Sequence, residues 1–568
     1  MIFVEKLDQF IRRNFTILIA IALILAACMR FVKLGSTSLT DHEASLALQA
    51  FNPDSIIGGQ PGYVGLTSLL FNIFEGSDFF ARFWPAIFGI VFVLVPGLFR
   101  MQIGELAIVF LAFLIALEPG LVALSRSADG SMITITALLL TIGLVMNRKM
   151  IPAGVFAGLA LAGSENFWLL ALSLGLAWLV VYVITTDKPS TFDIEHFRIE
   201  KTDWLRFAFA TLITLLLVSS QFLLRPNGIS GIGSTITDFA AQWQPKEALG
   251  LGAYLLTFLI TQFPALILGL WGLSNGLREK SKWSRLLGLW WVIGLLLAVI
   301  IPSHDVMLIS MVNLPLFVLA AIQIARLFKG IMIHSKIVLI AESVVTISLL
   351  VFATINFLNM INFPPVDEVG MRNRLIGTFL PLALWLAFTV LLAWGWDSTS
   401  TKSGIIIGLG ILLGASLIGS GWKAAGLGSY PENELLAYPG YVIGQKDLLQ
   451  TVQDVSSWNI GQKNRIDVEL VGIDSPSVNW VFRNFEKISE VSGFPVSDTP
   501  SIVISKMDAV IQTQSLYRGQ AVVWSVQPDY SQANWQNWVK WFFTRQIPQR
   551  KSSLLLWVRN DLFKDSSE

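Results

Sequence analysis

From Phe15 to Leu34 the chain runs through about 20 residues that are nearly all apolar, and similar runs recur along most of its length. A stretch of that size crosses a hydrocarbon core of roughly 30 Å as a helix. Inside lipid every backbone polar group must be paired internally, so the pattern dictates a polytopic α-helical membrane protein. Composition agrees: of 568 residues 54% are hydrophobic and 14% charged, with a mean hydropathy of +0.63, far from the charge density of a soluble domain. A net charge of +1 offers no electrostatic footing for nucleic acid. The single cysteine, Cys28, excludes an internal disulfide and any cysteine-based metal site.

Spans are expected near 15–34, 82–99, 105–122, 131–146, 151–164, 167–185, 207–224, 252–274, 286–301, 307–325, 337–357, 375–395 and 404–421, about 13 in all. Residues 1–14 form a short amphipathic segment on the cytoplasmic surface, and the first run reads as a retained signal anchor. Arg30 and Lys33, near its far end, have side chains long enough to snorkel to headgroups. Lys and Arg fall mostly in alternate loops, which places the amino terminus inside and residues 425–568 outside. The expected organisation is therefore a membrane domain over 15–424, with a first outer loop at 35–80, followed by an extracytoplasmic α/β domain over 425–568. Strands are expected at 466–473, 501–505, 521–525 and 553–558, and helices near 445–456, 477–486 and 533–546. Trp535, Trp538 and Trp541 recur at helical spacing; such a stripe is a core face more often than a sugar platform.

The first outer loop carries Thr40-Asp41-His42-Glu43-Ala44, two carboxylates and an imidazole at a bilayer edge. Ionisable groups there cost free energy unless they pair or perform a task, which marks a functional-site candidate. The structural alternative is that Thr40 and Glu43 form a capping box while Asp41 favours the helix dipole. In an extended loop residues 41 and 43 face the same side; within a helix they diverge by about 200°.

Three segments carry a family resemblance. Phe31-Val-Lys-Leu-Gly35 with Ser38-Leu-Thr-Asp-His-Glu-Ala44 resembles the first outer loop of the GT-C glycosyltransferases, among them the family 39 protein O-mannosyltransferases and aminoarabinose transferases. Ala81-Arg82-Phe-Trp-Pro-Ala-Ile-Phe-Gly89 is similar to the opening of their second span, and Leu117-Glu-Pro-Gly120 with Ser125-Arg126-Ser-Ala-Asp129 to the turn after their third. The resemblance covers the first two hundred residues. It implies a plasma-membrane transferase that moves a sugar from a polyprenyl-phosphate carrier to a protein, lipid or glycan hydroxyl on the outer face, inverting the anomeric centre, with a loop carboxylate as base. Carried onto this sequence, Asp41 is the first-choice base and Glu43 the second. Matching Ala44 instead puts His42 at the position of the family's aspartate.

Arg82, Arg126 and His304 are the foremost candidates to hold the donor phosphate, with Arg225, Lys246, Arg372 and Arg374 behind them. Glu118 and Glu165 sit at the outer ends of spans. A divalent metal held by Asp41 and Glu43 is possible, but no metal-ligand spacing stands out. Two other functions fit the composition: a non-catalytic relative serving as a binding or assembly subunit, and a flippase or transporter for lipid-linked sugars. The transporter is disfavoured because the charges cluster at the outer rim and no related halves are visible.

Overall fold

In the computed structural model the described residues are 2–52, 58–184, 200–244, 249–363, 367–492, 499–509 and 515–563, with side chains from residue 13 onward. The side chains of the amino-terminal amphipathic segment and Lys246 lie outside them. Among the described residues eight helices are long and apolar enough to cross a membrane, or nine if the bent pair Glu105–Leu117 and Pro119–Arg126 is one span. Sequence reading expects about 13. The difference lies in helices that are bent, short or folded back. The stretch Glu368–Ala424 is 57 residues long and doubles back at Asp397. On the way in, Trp385 and then Thr389 bond to Thr346 and then Glu342 of helix Lys336–Asn362. On the way out, Gly404 and then Gly408 pass the same two residues in the reverse order. Two shorter apolar helices, Ser131–Met146 and Met150–Gly163, pack among the longer ones.

The 55° bend at Glu118-Pro119 shapes the site. Proline has no N–H, so the carbonyl of Ile115 loses its helical partner there. Arg30 takes up the loss. It is fully buried and donates to the carbonyls of Ile115 and Ala116, 3.1 Å from each. The expected snorkelling of Arg30 toward headgroups is thus corrected: orphaned carbonyls inside the bundle hold it. Beyond the bend, Glu118 caps helix Pro119–Arg126 by accepting from Leu121 N. Arg126 then turns back and donates to the carbonyls of Met29, Arg30 and Val32, closing the end of the first helix, Ile2–Phe31. Cations at a helix carboxy terminus complement its dipole.

The carboxy-terminal part builds one six-stranded sheet from β1 (Tyr441–Val442), β2 (Val468–Val471), β3 (Ile488–Val491), β4 (Ile502–Lys506), β5 (Tyr517–Pro528) and β6 (Gln549–Arg559), ordered β1-β5-β6-β4-β2-β3. β2 lies parallel to β3 and β4, and the other pairs are antiparallel. Helices Gln445–Ile460 and Pro476–Phe482 cover it through Leu448, Val452, Val455, Val478 and Phe482. β1 and β3, short and lacking clear alternation, are the strands the sequence pattern does not disclose. Helix Trp535–Thr544 sits apart from this core, with Trp538 and Trp541 packed toward the membrane spans.

Candidate active site

Thr40 has extended backbone geometry and starts helix Asp41–Phe51 with a reciprocal capping box: its hydroxyl accepts from Glu43 N, and Glu43 accepts from Thr40 N at 3.0 Å. Because the helix begins at residue 41, consecutive side chains leave it about 100° apart. Asp41, His42 and Glu43 therefore have three different destinations.

Glu43 goes inward. It is buried and accepts from Arg82 Nε and Nη2, both at 2.8 Å, and from Ala128 N at 2.8 Å. Burial opposes its charge, but the Arg82 guanidinium outweighs that and holds the carboxyl below its ordinary value. Arg82 in turn donates to Thr37 O at 2.7 Å and Ser38 O at 3.1 Å, so the pair ties the first loop to the helix that starts at Asp78. Asp41 goes to the carboxy-terminal domain. Its Oδ1 accepts from Ser475 Oγ at 2.6 Å and Ser477 N at 3.0 Å, at the start of helix Pro476–Phe482. The same junction is fastened by Trp480 Nε1 donating to Asp78 Oδ1 at 2.7 Å and by Arg483 donating to Gly76 O at 2.7 Å.

His42 alone of the three lines the large cavity, about 1000 Å³, between the membrane helices and the carboxy-terminal domain. Its Nε2 lies 3.2 Å from Asp129 Oδ2. Asp129 is buried, and although burial opposes ionisation, hydrogen bonds from His42, Ser131 and Gln60 pull its carboxyl down to about 2. An ionised carboxylate only accepts, so His42 Nε2 carries the proton. Among the described residues no hydrogen-bond partner takes Nδ1. Gln60 fixes the pair from behind: its Nε2 donates to Asp129 Oδ2 at 2.8 Å, while Gly130 N donates to its Oε1 at 2.7 Å. A Cβ at Gly130 would come within 1.8 Å of the Gly163 carbonyl, so only glycine lets these two turns approach. The Tyr438 ring covers His42 at 4.2 Å and 32°. Burial lowers the affinity of His42 for a proton, yet the hydrogen bond and charge of Asp129 outweigh it and raise the imidazole above 6.5. Glu165 shares the cavity wall, and burial together with the Asp129 charge pushes its carboxyl up to about 7.

The expected donor-phosphate ligands are distributed otherwise. The guanidiniums of Arg82 and Arg126 are engaged by the protein partners named above and line a separate pocket of about 80 Å³ beside Glu43. His304 does line the large cavity, with Nδ1 2.9 Å from Leu249 O. Among the lysines and arginines of the described residues, Arg550 lines that cavity. Asp41 and Glu43 diverge, so they form no shared ligand pair; among the described residues no group of three or more His, Cys, Asp and Glu side chains could hold a metal. Sequence reading passed over Gln60 and Tyr438. Asp129 stood inside a quoted motif, the one signal that pointed to it.

No protein-family model and no curated protein sequence matches this chain. Solved structures do. ArnT from Cupriavidus metallidurans bound to undecaprenyl phosphate superposes with a TM-score of 0.53 at 13% identity, over 87% of this chain and 93% of that one. Its apo state gives 0.51 at 14% identity over the same shares. The chain has the GT-C fold. Within GT-C proteins, the archaeal oligosaccharyltransferase AglB from Archaeoglobus fulgidus is also similar, with a TM-score of 0.44 at 12% identity over 87% of this chain and 70% of that one.

Proposed function

We propose that this protein is a membrane glycosyltransferase that moves a sugar from a polyprenyl-phosphate carrier to an acceptor hydroxyl, with His42 as general base and Asp129 as the residue that orients it. The observation carrying this reading is His42 on the wall of the large cavity with buried Asp129 bonded to it from behind, at the start of the helix where the GT-C resemblance places the base. With Nε2–H held by Asp129, the Nδ1 lone pair takes the acceptor proton as the acceptor oxygen attacks the anomeric carbon from the face opposite the phosphate. The bond from that carbon to the phosphate oxygen breaks and the lipid phosphate leaves, which inverts the centre. Asp129 stabilises the imidazolium that forms. Arg550 and His304 are the cavity groups able to face the leaving phosphate. ArnT was solved with undecaprenyl phosphate bound, which supports a lipid-phosphate donor here. The cavity faces the outer side of a plasma membrane, with the amino terminus cytoplasmic; the bias of Lys and Arg among the loops supports this direction.

A second reading, a non-catalytic binding or assembly subunit, is favoured by one observation: both motif arginines, Arg82 and Arg126, spend their donors on the protein. One assay separates the two. Membranes containing wild type, His42→Gln or Asp129→Asn are given polyprenyl-phosphate hexoses labelled in the sugar, and transfer to an acceptor fraction is counted. Transfer by wild type and its loss in His42→Gln at equal protein level is expected. Absence of transfer by wild type across several donor sugars favours the second reading, and full transfer by His42→Gln removes this residue from the chemistry.

A further inference from the structure

Helix Trp535–Thr544 belongs in sequence to the carboxy-terminal domain but packs against three membrane helices. Trp538 and Trp541, 5% and 1% exposed, sit on Leu435 and Ile547 with Ala253, Leu256 and Ile260 of helix Leu251–Arg278 beside them. The Phe543 ring meets Phe357 of helix Lys336–Asn362 edge-on at 5.9 Å. Lys423, at the end of helix Ser398–Ala424, donates to Phe543 O at 3.0 Å.

These contacts set its depth. Ile260 is nine residues inside its span, about 14 Å at the helical rise, and Phe357 is five residues from the end of its own. Both spans, of 28 and 27 residues, are about 40 Å long and overshoot a hydrocarbon core of about 30 Å, so their first turns stand at headgroup level. The helix therefore lies level with the first turns of the spans, below the rest of its domain. Its outward edge is apolar: Trp535 and Phe542, at helical spacing i and i+7, are 70% and 39% exposed. On the spans it packs against, Leu255 and Leu259 flank the contact residues Leu256 and Ile260, and Phe352 and Ile355 lie within five residues of Phe357; all four are exposed and apolar. Those four lie on helices long and apolar enough to cross a membrane, where exposed apolar side chains have lipid as their neighbour, and an exposed apolar edge packed on the same helices at that level shares it.

We propose that helix Trp535–Thr544 is an in-plane membrane helix, its Trp535–Phe542 edge seated in the leaflet on the domain's side of the bilayer. Tryptophan and phenylalanine on one edge, with Lys540 on the same helix, is the composition of an interfacial anchor. Pro528 to Ser531, on the cavity wall, lead into this helix through three residues. The seat thus holds the cavity wall at headgroup level, where a lipid-borne ligand enters without leaving the bilayer. This holds whether or not the protein transfers sugar.

Spin labels placed one at a time at Trp535→Cys, Phe542→Cys and Trp458→Cys, in full-length Cys28→Ser protein reconstituted in vesicles, test it by collision with oxygen and with a water-soluble nickel chelate. Trp458, 71% exposed on helix Gln445–Ile460, is the aqueous control. Labels at 535 and 542 are expected to collide with oxygen severalfold more than with chelate, the reverse of 458. Chelate collision at 535 and 542 equal to that at 458 places the helix in water and overturns the proposal. Shielding from both reagents means that another protein surface, such as a second copy, covers the edge, and overturns it as well. Since both sites are exposed, loss of fold is not expected; as a second readout, quenching of tryptophan fluorescence by lipids brominated near the headgroup should fall from wild type to Trp535→Phe, and an unchanged quenched fraction overturns the proposal.

Discussion

His42 and Glu43 share a peptide bond and have opposite surroundings. Glu43 has both carboxylate oxygens occupied by buried donors, and its side chain is 4% exposed. His42 has one ring nitrogen held and its side chain 38% exposed on a cavity wall. The contrast teaches that an acidic residue in such a motif can serve architecture while its neighbour faces the cavity. A buried ion pair adds little net stability, but breaking one side of it is costly because the other charge is left unpaired.

The largest effect should come from the architectural side. Glu43→Gln or Arg82→Met should lower stability by about 3–5 kcal/mol. Thermal unfolding in detergent and the amount of protein reaching the membrane would register it; a normal midpoint in both variants would mean that the pair does not hold the loop. Next comes the cavity side. His42→Gln should leave the midpoint within a few degrees of wild type while transfer falls by about 10²-fold or more. A matching loss of stability would erase the contrast between the two residues.

A third experiment sharpens it. With neutral His42 as the proposed base, transfer should rise with pH through a midpoint above 6.5, the direction in which Asp129 moves the imidazole. In Asp129→Asn that midpoint should move to lower pH, with the plateau reduced. The stability contribution has the opposite sign. A histidine whose folded value is raised stabilises the protein fully below 6.5, and the contribution is lost as pH rises through the raised value. The same pH rise should thus increase transfer and slightly weaken the fold, and parallel trends would contradict this assignment.

The smallest effect is expected at Asp41, which is exposed and, among the described residues, fastened to Ser475 and Ser477. Asp41→Asn should change the thermal midpoint by roughly 2 °C or less and leave transfer near wild type. Loss of transfer in this variant at normal protein level would return the base to Asp41 and reverse the comparison.

Much of this was legible in the chain itself, because the features concerned are local. Apolar runs longer than a bilayer core dictate a helical bundle, the short apolar runs in 501–505 and 553–558 dictate strands, and Thr40 with Glu43 dictates a helix start. The three motifs in order pointed to the fold that the structural comparison shows. What tertiary structure decided was direction. Asp41, His42 and Glu43 are chemically eligible for the same role, and the sequence cannot say which of three azimuths, about 100° apart, meets the cavity. Arg82 arrives from 39 residues away to claim Glu43, Ser475 from 434 away to claim Asp41, and Asp129 from 87 away to hold His42. Local pattern specifies the elements because periodicity is a property of neighbours; the identity of a base depends on partners that only folding brings within 3 Å or so.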